Sequence, residues 1–488
     1  MQDIGKTLFI GATWAAGMRW GSKLIGLGSM VVLARLLQPE DFGIVALAAL
    51  LVGLLDVFLE LGVGMVLIRE LRVSNDDLNT AWTIRIVQSI LLAVTISIAA
   101  PWAASFFREP RIVEVVYLSA AALLVSGFEN VGMILVRKEL RFARDFWYQI
   151  IQKLAGAVIG IGLALALRNY WALALAHAAT AVIGVALSYV MHPYRPWFSL
   201  RALRRFLGFS VHVMLMNAAR FLGNRADAFV VGRIADATQM GIYNVAYELS
   251  SLPSRELTVS VGRALFPTLA KVRADLVTMR RAFMDVLASV TALCVPMGAG
   301  IWAVTDDLVL VILGPRWQSA SALMGWLALY GTVTALFNIM NGHVLLVTGH
   351  ERRQTAVVWA RVALLLGMVL FGTRWGVQGV AIGATASGCV ALVISAIALN
   401  RTIGTSFRDY LRILWRPLTS ALLMVLVLKG TTLAYLTTPL PRLAASVVGG
   451  TVFYCLVLVS LWWVSGRPAG PEAAVLAMLT GRLRAPNR

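Results

Sequence analysis

The sequence predicts an all-α polytopic membrane protein of about fourteen helices, arranged as two pseudo-symmetric six-helix lobes plus a C-terminal hairpin. Three observations carry this reading. Apolar runs long enough to cross a hydrocarbon core follow one another almost end to end through 488 residues. The chain is 59% hydrophobic and only 14% charged, with a mean hydropathy of +0.78, which no ordinary soluble domain shows. The runs are continuous rather than alternating, which excludes a closed β-barrel.

Taken in order, the spans run approximately over 9–35, 42–68, 79–105, 112–136, 146–167, 170–191, 207–232, 241–268, 282–304, 319–347, 355–373, 376–400, 414–436 and 442–465. The first span is expected to remain uncleaved, since only Lys6 precedes it and Arg19 and Lys23 interrupt it. Basic clusters such as Arg137, Lys138, Arg141 and Arg144, or Arg195, Arg201, Arg204 and Arg205, occupy alternate loops. That asymmetry places the N- and C-termini in the cytoplasm. The net charge of +19 is then a topology signal and argues against a nucleic-acid partner. Trp147, Tyr148, Tyr170, Trp171, Trp302, Trp317, Trp375, Trp462 and Trp463 lie near span ends, as interfacial anchors would. Cys294, Cys389 and Cys455 stand far apart inside apolar stretches, so they read as buried apolar residues with neither disulfide nor metal role.

The chain also repeats. Residues 33–50, LARLLQPEDFGIVALAAL, align without a gap on 231–248, so that Arg35 falls on Arg233, Gly43 on Gly241, Ile44 on Ile242 and Ala48 on Ala246. The same offset of 198 residues lays the first span on the seventh and the second on the eighth, a parallel repeat about the membrane normal. The expected division is an N-lobe over 1–200, a C-lobe over 201–400, a helical hairpin over 401–465 and a cytoplasmic tail over 466–488.

Charge at the bilayer centre costs roughly 2.5–3.5 kcal/mol per residue on insertion scales, so intramembrane ions mark a functional path. Arg19 and Lys23 stand one turn apart on the first span, and Asp56 and Glu60 one turn apart on the second. If these spans form a hairpin, Lys23 lies level with Asp56 and Arg19 with Glu60. Two readings stand: ion pairs that let charged helices insert, or a cationic site held by acids until cargo or a proton displaces them. On the seventh span Asn217, Arg220, Asn224 and Asp227 define one polar face, with Arg225 beside it. On the eighth, Glu248 and Arg255 share a side, with Glu256 adjacent to Arg255. Arg220 and Arg255 are expected at one depth, an unneutralised pair of guanidiniums whose planar forks would suit a phosphate or pyrophosphate. Arg19, Lys23, Arg220, Arg225 and Arg255 are therefore the candidate cargo-binding residues, with Asp56, Glu60, Asp227 and Glu248 balancing charge or coupling to a proton or sodium ion.

Arg85 and Arg263 read as snorkelling near the inner interface, while Lys153 and Arg361 could flank the cavity. Asn338, Asn341 and His343 read as interhelical hydrogen-bond partners. No P-loop, metal-ligand cluster or nucleophile elbow is present, so no catalytic residue, metal or cofactor is expected.

Residues 33–50 resemble the first periplasmic junction of bacterial Wzx-type polysaccharide flippases. Residues 227–271, ending near Phe266–Pro267, resemble their seventh-to-eighth span region. These flippases belong to the multidrug/oligosaccharidyl-lipid/polysaccharide exporter superfamily. The resemblance implies movement of undecaprenyl-pyrophosphate-linked oligosaccharide repeat units across the bacterial cytoplasmic (inner) membrane, with a polysaccharide polymerase and a chain-length regulator as partners alongside membrane lipids. It also implies that the first, second, seventh and eighth helices line the cavity, with Arg19, Lys23, Glu60, Arg220, Arg225, Asp227, Glu248 and Arg255 on its walls. The competing readings are a lipid II flippase, a cation-coupled drug exporter, and a membrane polymerase or ligase. A drug exporter for organic cations would want an acidic cavity, and a polymerase or ligase would want a long outer loop; this chain has neither.

Overall fold

The computed structural model describes residues 2–59, 63–69, 73–139, 141–206, 211–273, 275–342, 344–430, 438–468, 470 and 472–473. Among them the chain forms nineteen α-helices and no strand. A chain that must satisfy its backbone groups without water has few other choices. Contacts group it into two units, residues 1–241 and 242–488.

The first unit holds α1 (Gln2–Leu36), α2 (Pro39–Leu59), α3 (Val63–Arg69), α4 (Asn75–Phe107), α5 (Ile112–Gly127), α6 (Gly132–Lys138), α7 (Phe142–Leu167), α8 (Trp171–Met191), α9 (Leu203–Phe206), α10 (Val211–Ile234) and the first turn of α11 (Ala237–Lys271). The second holds the rest of α11, then α12 (Leu276–Ala303), α13 (Thr305–Ile312), α14 (Ala320–Gly342), α15 (Val344–Val347), α16 (Glu351–Gly372), α17 (Gly376–Ile403), α18 (Phe407–Gly430) and α19 (Pro439–Val464). α10 groups with the first unit because it packs on α2 and α4.

Each sequence span overlies a helix or a helix pair. Eight helical stretches among the described residues are long and apolar enough to cross a membrane, nine if the bent pair α5–α6 counts as one. Their outward faces are apolar, as at Ile98 and Trp102 on α4 and Val448 on α19. α1, α2, α10 and α11 fall outside that set and carry Arg19, Lys23, Asp56, Arg220, Arg225, Asp227, Glu248 and Arg255.

Local signals set the ends. Ser74 opens α4 with a capping box: its hydroxyl accepts from the Asp77 N–H, and the Asp77 carboxylate accepts from the Ser74 N–H at 2.9 Å. Asp275 caps α12 by accepting from the Val277 and Thr278 N–H groups. Between α4 and α5, Arg111 donates to Glu109 at 2.7 Å and reaches Glu40 on α2 at 2.5 Å. The Arg111 guanidinium holds the Glu109 carboxyl below the usual carboxylate range.

The repeated segments meet where they resemble each other most. A Cβ on Gly43 would stand 1.7 Å from the Ala237 carbonyl oxygen, and a Cβ on Gly241 would stand 1.8 Å from that of Pro39. Residues 39 and 237 are themselves related by the repeat offset, so the contact is reciprocal, as about a local two-fold axis. No side chain fits on either partner.

Several anchors read from the sequence sit elsewhere. Tyr148 and Trp317 are buried, packed inside their units instead of at an interface. Cys294 is buried as expected, but Cys389 and Cys455 are exposed on apolar helix faces. Asn341 does bridge helices, donating to Ser395 on α17 at 2.5 Å. Arg361 is buried against the Phe337 ring, 4.5 Å from its centroid, and donates to Thr334. His343 lies outside the described residues.

Candidate functional site

The charged helices of the first unit share a gradient of burial. On α2, Ile44, Leu47, Leu50 and Leu51 are buried, whereas Asp56 is exposed. On α10, Arg220 and Asn224 are exposed, Asn217 and Arg225 half-buried, and Asp227, Ala228 and Val231 buried. On α1, Arg19 and Lys23 are half-buried, while Leu33 and Ala34 are buried. Arg19, Lys23, Asp56, Arg220 and Arg225 thus lie in the less covered stretch of each helix, which suits side chains that meet water or a polar cargo, while Asp41 and Asp227 are buried.

The hairpin assumed for α1 and α2 is not formed. Instead α1 runs along α7, with Gly17 and Gly21 against Phe146 and Ile150 and Gly26 against the Lys153 stem, while α2 packs on α4, α5 and α10. Glu60, the expected counterpart of Arg19, lies outside the described residues. In the second unit Arg255 donates to Glu248 at 3.1 Å, both partly exposed. Arg255 is thus neutralised on its own helix, contrary to the expectation of an uncompensated guanidinium.

A polar cavity that the sequence reading missed lies within the first unit. It measures about 510 Å³ and is lined by Asp56, Arg85, Gln88, Glu129 and Arg137, with Ile68 and Ile134 among its apolar walls. Arg85, read from the sequence as snorkelling, instead donates to Glu129 at 2.5 Å. Tyr148 donates to the other Glu129 oxygen at 2.7 Å. Asp56 is the one sequence-predicted residue that this cavity gathers.

The cavity exists because the fourth span breaks. α5 and α6 meet at 68° across residues 128–131. A break frees backbone groups that lipid cannot satisfy, and three of them are met by side chains here. The Phe128 carbonyl accepts from the Tyr189 hydroxyl at 2.9 Å. The Asn130 N–H donates to Ser188 at 3.0 Å, and the Gly132 N–H donates to the Asn130 side-chain oxygen at 2.9 Å. The Asn130 amide in turn donates to the His192 and Tyr194 carbonyls, tying the break to the segment after α8. His192 accepts from the Tyr194 N–H through Nδ1 at 3.2 Å, and burial pushes its imidazole below the ordinary value, in keeping with an accepting ring nitrogen. Gly127 is required by closeness, since its Cβ would stand 2.0 Å from the Ser89 hydroxyl. The sequence signal was Glu129–Asn130 between Gly127 and Gly132, a polar interruption of an apolar run.

The segment beyond is strapped to α4. Trp197 N–H donates to the Asn79 side chain at 2.9 Å, Ser199 N–H to Thr83 at 3.0 Å and Ala202 N–H to Thr80 at 3.2 Å. Asn130 thus joins the broken helix to the strap, and Asn130→Ala is expected to cost about 1–3 kcal/mol by stranding buried groups. Thermal unfolding of the purified protein in detergent checks this: an unchanged midpoint would remove Asn130 as the joint.

Residues 32–322 match the family described as polysaccharide biosynthesis protein, and the chain belongs to that family. It is 25% identical over 473 residues to the teichuronic acid biosynthesis protein TuaB of Bacillus subtilis (strain 168), covering 95% of this chain and 97% of that protein. It is 23% identical over 468 residues to the succinoglycan biosynthesis transport protein ExoT of Rhizobium meliloti (strain 1021), covering 93% of each. Its fold is similar to that of the lipid II flippase MurJ in an inward closed conformation, with a TM-score of 0.73, 12% identity, and coverage of 93% of this chain and 99% of that one. The chain is a multi-pass membrane protein with a fold like that of MurJ, and its relatives include a transport protein.

Proposed function

We propose that the protein translocates undecaprenyl-pyrophosphate-linked oligosaccharide repeat units from the inner to the outer leaflet of the bacterial cytoplasmic membrane, for exopolysaccharide, O-antigen or capsule biosynthesis. The observation that carries this reading is the set of cations on the less covered halves of α1 and α10, in a chain that belongs to a polysaccharide biosynthesis family. Arg19, Lys23, Arg220 and Arg225 supply positive charge where a pyrophosphate must leave water, and guanidinium forks bind its oxygens in pairs. Arg255, balanced by Glu248, joins the path when a stronger anion competes for it. The sugars stay in polar surroundings and the polyprenyl tail stays in lipid, so only the headgroup needs a protein route. Fourteen crossings, cytoplasmic termini and alternating access of two pseudo-equivalent lobes complete the reading. Asp56 and Glu60 couple the cycle to a proton or sodium ion, and a polymerase and a chain-length regulator act on the delivered unit.

The fold likeness to MurJ favours a second reading, with lipid II as cargo. Proteoliposomes separate the two. Wild-type protein is expected to expose a polyprenyl-pyrophosphate oligosaccharide to an external sugar-modifying enzyme, and Arg220→Glu to slow this at least about tenfold, as one lost charge-assisted contact of some 1.5–3 kcal/mol would. Movement of lipid II alone would move the assignment to the second reading. Full activity of a well-inserted Arg220→Glu protein would remove the phosphate path.

A further inference from the structure

A second polar groove lies in the other unit, lined by none of the candidate cargo-path residues. It runs between the first turns of α12 and α18, measures about 460 Å³, and is lined by Arg280, Arg281, Asp285, Asp409, Arg412 and Arg416. Four guanidiniums thus share one groove, and their surroundings differ. Arg280 pairs with Asp409. Arg416 is buried and pairs with Glu472 of the C-terminal tail at 2.8 Å, both side chains being less than a tenth exposed. Arg281 and Arg412 are exposed and have no carboxylate within ion-pair distance among the described residues. Asp285 is the remaining acid on the wall, one turn beyond Arg281. The groove therefore keeps two open cations in front of a buried one already matched to a carboxylate.

Its surroundings are apolar and outward-facing. Phe407, Leu411, Trp415, Leu418 and Leu422 are exposed at helical spacing along α18, and Leu276 and Val277 are exposed at the start of α12. Both helices begin on the face that the Lys and Arg bias assigns to the cytoplasm. An open cationic groove beside an exposed apolar stripe matches a molecule with an anionic head and a hydrocarbon body.

We propose that this groove binds the phosphate headgroup of an anionic glycerophospholipid of the inner leaflet. Arg281 and Arg412 grip the phosphate oxygens, Arg280 borders them, and the acyl chains lie along the α18 stripe. Glu472 occupies Arg416 at the closed end, so the lipid also meets the docked tail and stabilises its position. The site does not depend on which cargo is flipped, because no residue of the proposed path lines it.

Native mass spectrometry of the full-length detergent-solubilised protein tests the assignment, with phosphatidylglycerol, phosphatidylcholine and inorganic phosphate as probes. Phosphatidylglycerol is expected to be retained at least about tenfold more than phosphatidylcholine, since each basic residue at a membrane surface adds appreciably to anionic-lipid attraction. The double variant R281Q/R412Q should fall to the phosphatidylcholine level, while R204Q/R273Q, which removes the same charge from exposed cytoplasmic-side positions, should behave as wild type. Equal loss in both variants would reduce the effect to net charge and overturn the site. Retention unchanged in R281Q/R412Q would overturn it too. Displacement of phosphatidylglycerol by millimolar inorganic phosphate would show a free-phosphate site instead of a lipid one.

Discussion

Gly43→Ala and Gly241→Ala are each expected to reduce export at least about tenfold and to lower the melting temperature. The added carbon would overlap a backbone carbonyl oxygen in both cases, at 1.7 Å and 1.8 Å. Flexible side chains can move aside from such an overlap, but helix backbone cannot, and overpacking of this kind typically costs about 1–3 kcal/mol or more. The intrinsic preference of helices for alanine over glycine works in the opposite direction, by roughly 0.5–1 kcal/mol. Gly28→Ala and Gly162→Ala isolate that opposing effect, because a Cβ at either position meets nothing within 4 Å. Those two variants should be neutral or slightly stabilised. Export by each purified, correctly inserted variant, read beside its melting curve, checks the argument. If Gly43→Ala matched Gly28→Ala in both measurements, the reciprocal contact would have no energetic weight. The two glycines contact each other's neighbourhoods across related positions, so the double variant should cost less than the sum of the singles: once the first carbon has forced the backbones apart, the second finds room.

The equivalence of Gly43 and Gly241 was legible as an alignment, but their contact was not. The apolar spans were legible as well, because lipid leaves the backbone little but helix and the runs needed only to be measured. Pairing between spans was not. Nothing in the first span announces that α1 lies along α7 instead of α2; the glycines at 17, 21 and 26 are the trace of it, and small residues say only that some helix comes close. The break at 128–131 was hidden for a related reason. Glu129 and Asn130 look like a costly interruption until Arg85, Tyr148, Ser188 and the strap are brought around them, and those partners come from remote parts of the chain. Arg220 and Asp56, singled out by helical spacing, are exposed, and Asp56 lines the first unit's cavity. The partner of Arg255 was named in the sequence reading yet assigned the wrong consequence, because helical spacing puts Glu248 within reach without saying that the two join.

The ion pair between Glu248 and Arg255 sets the second large expectation. Arg255→Glu should abolish export, and the exchanged pair Glu248→Arg with Arg255→Glu should restore folding without restoring export. The first variant puts two carboxylates two turns apart on one face of α11, where like charges repel and the site changes sign. The exchange rebuilds an ion pair of the same 3.1 Å kind, so any loss that came only from unbalanced charge is repaired. It does not return a guanidinium to residue 255, where an anionic headgroup would have to find it. Membrane level and melting temperature report the first effect, and transport of the lipid-linked oligosaccharide in proteoliposomes reports the second. Recovery of both would make the pair a structural one and take Arg255 off the cargo path. Recovery of the fold alone is what a guanidinium that trades its carboxylate for a pyrophosphate requires, because the position of the cation, and not the neutrality of the pair, is what the cargo reads.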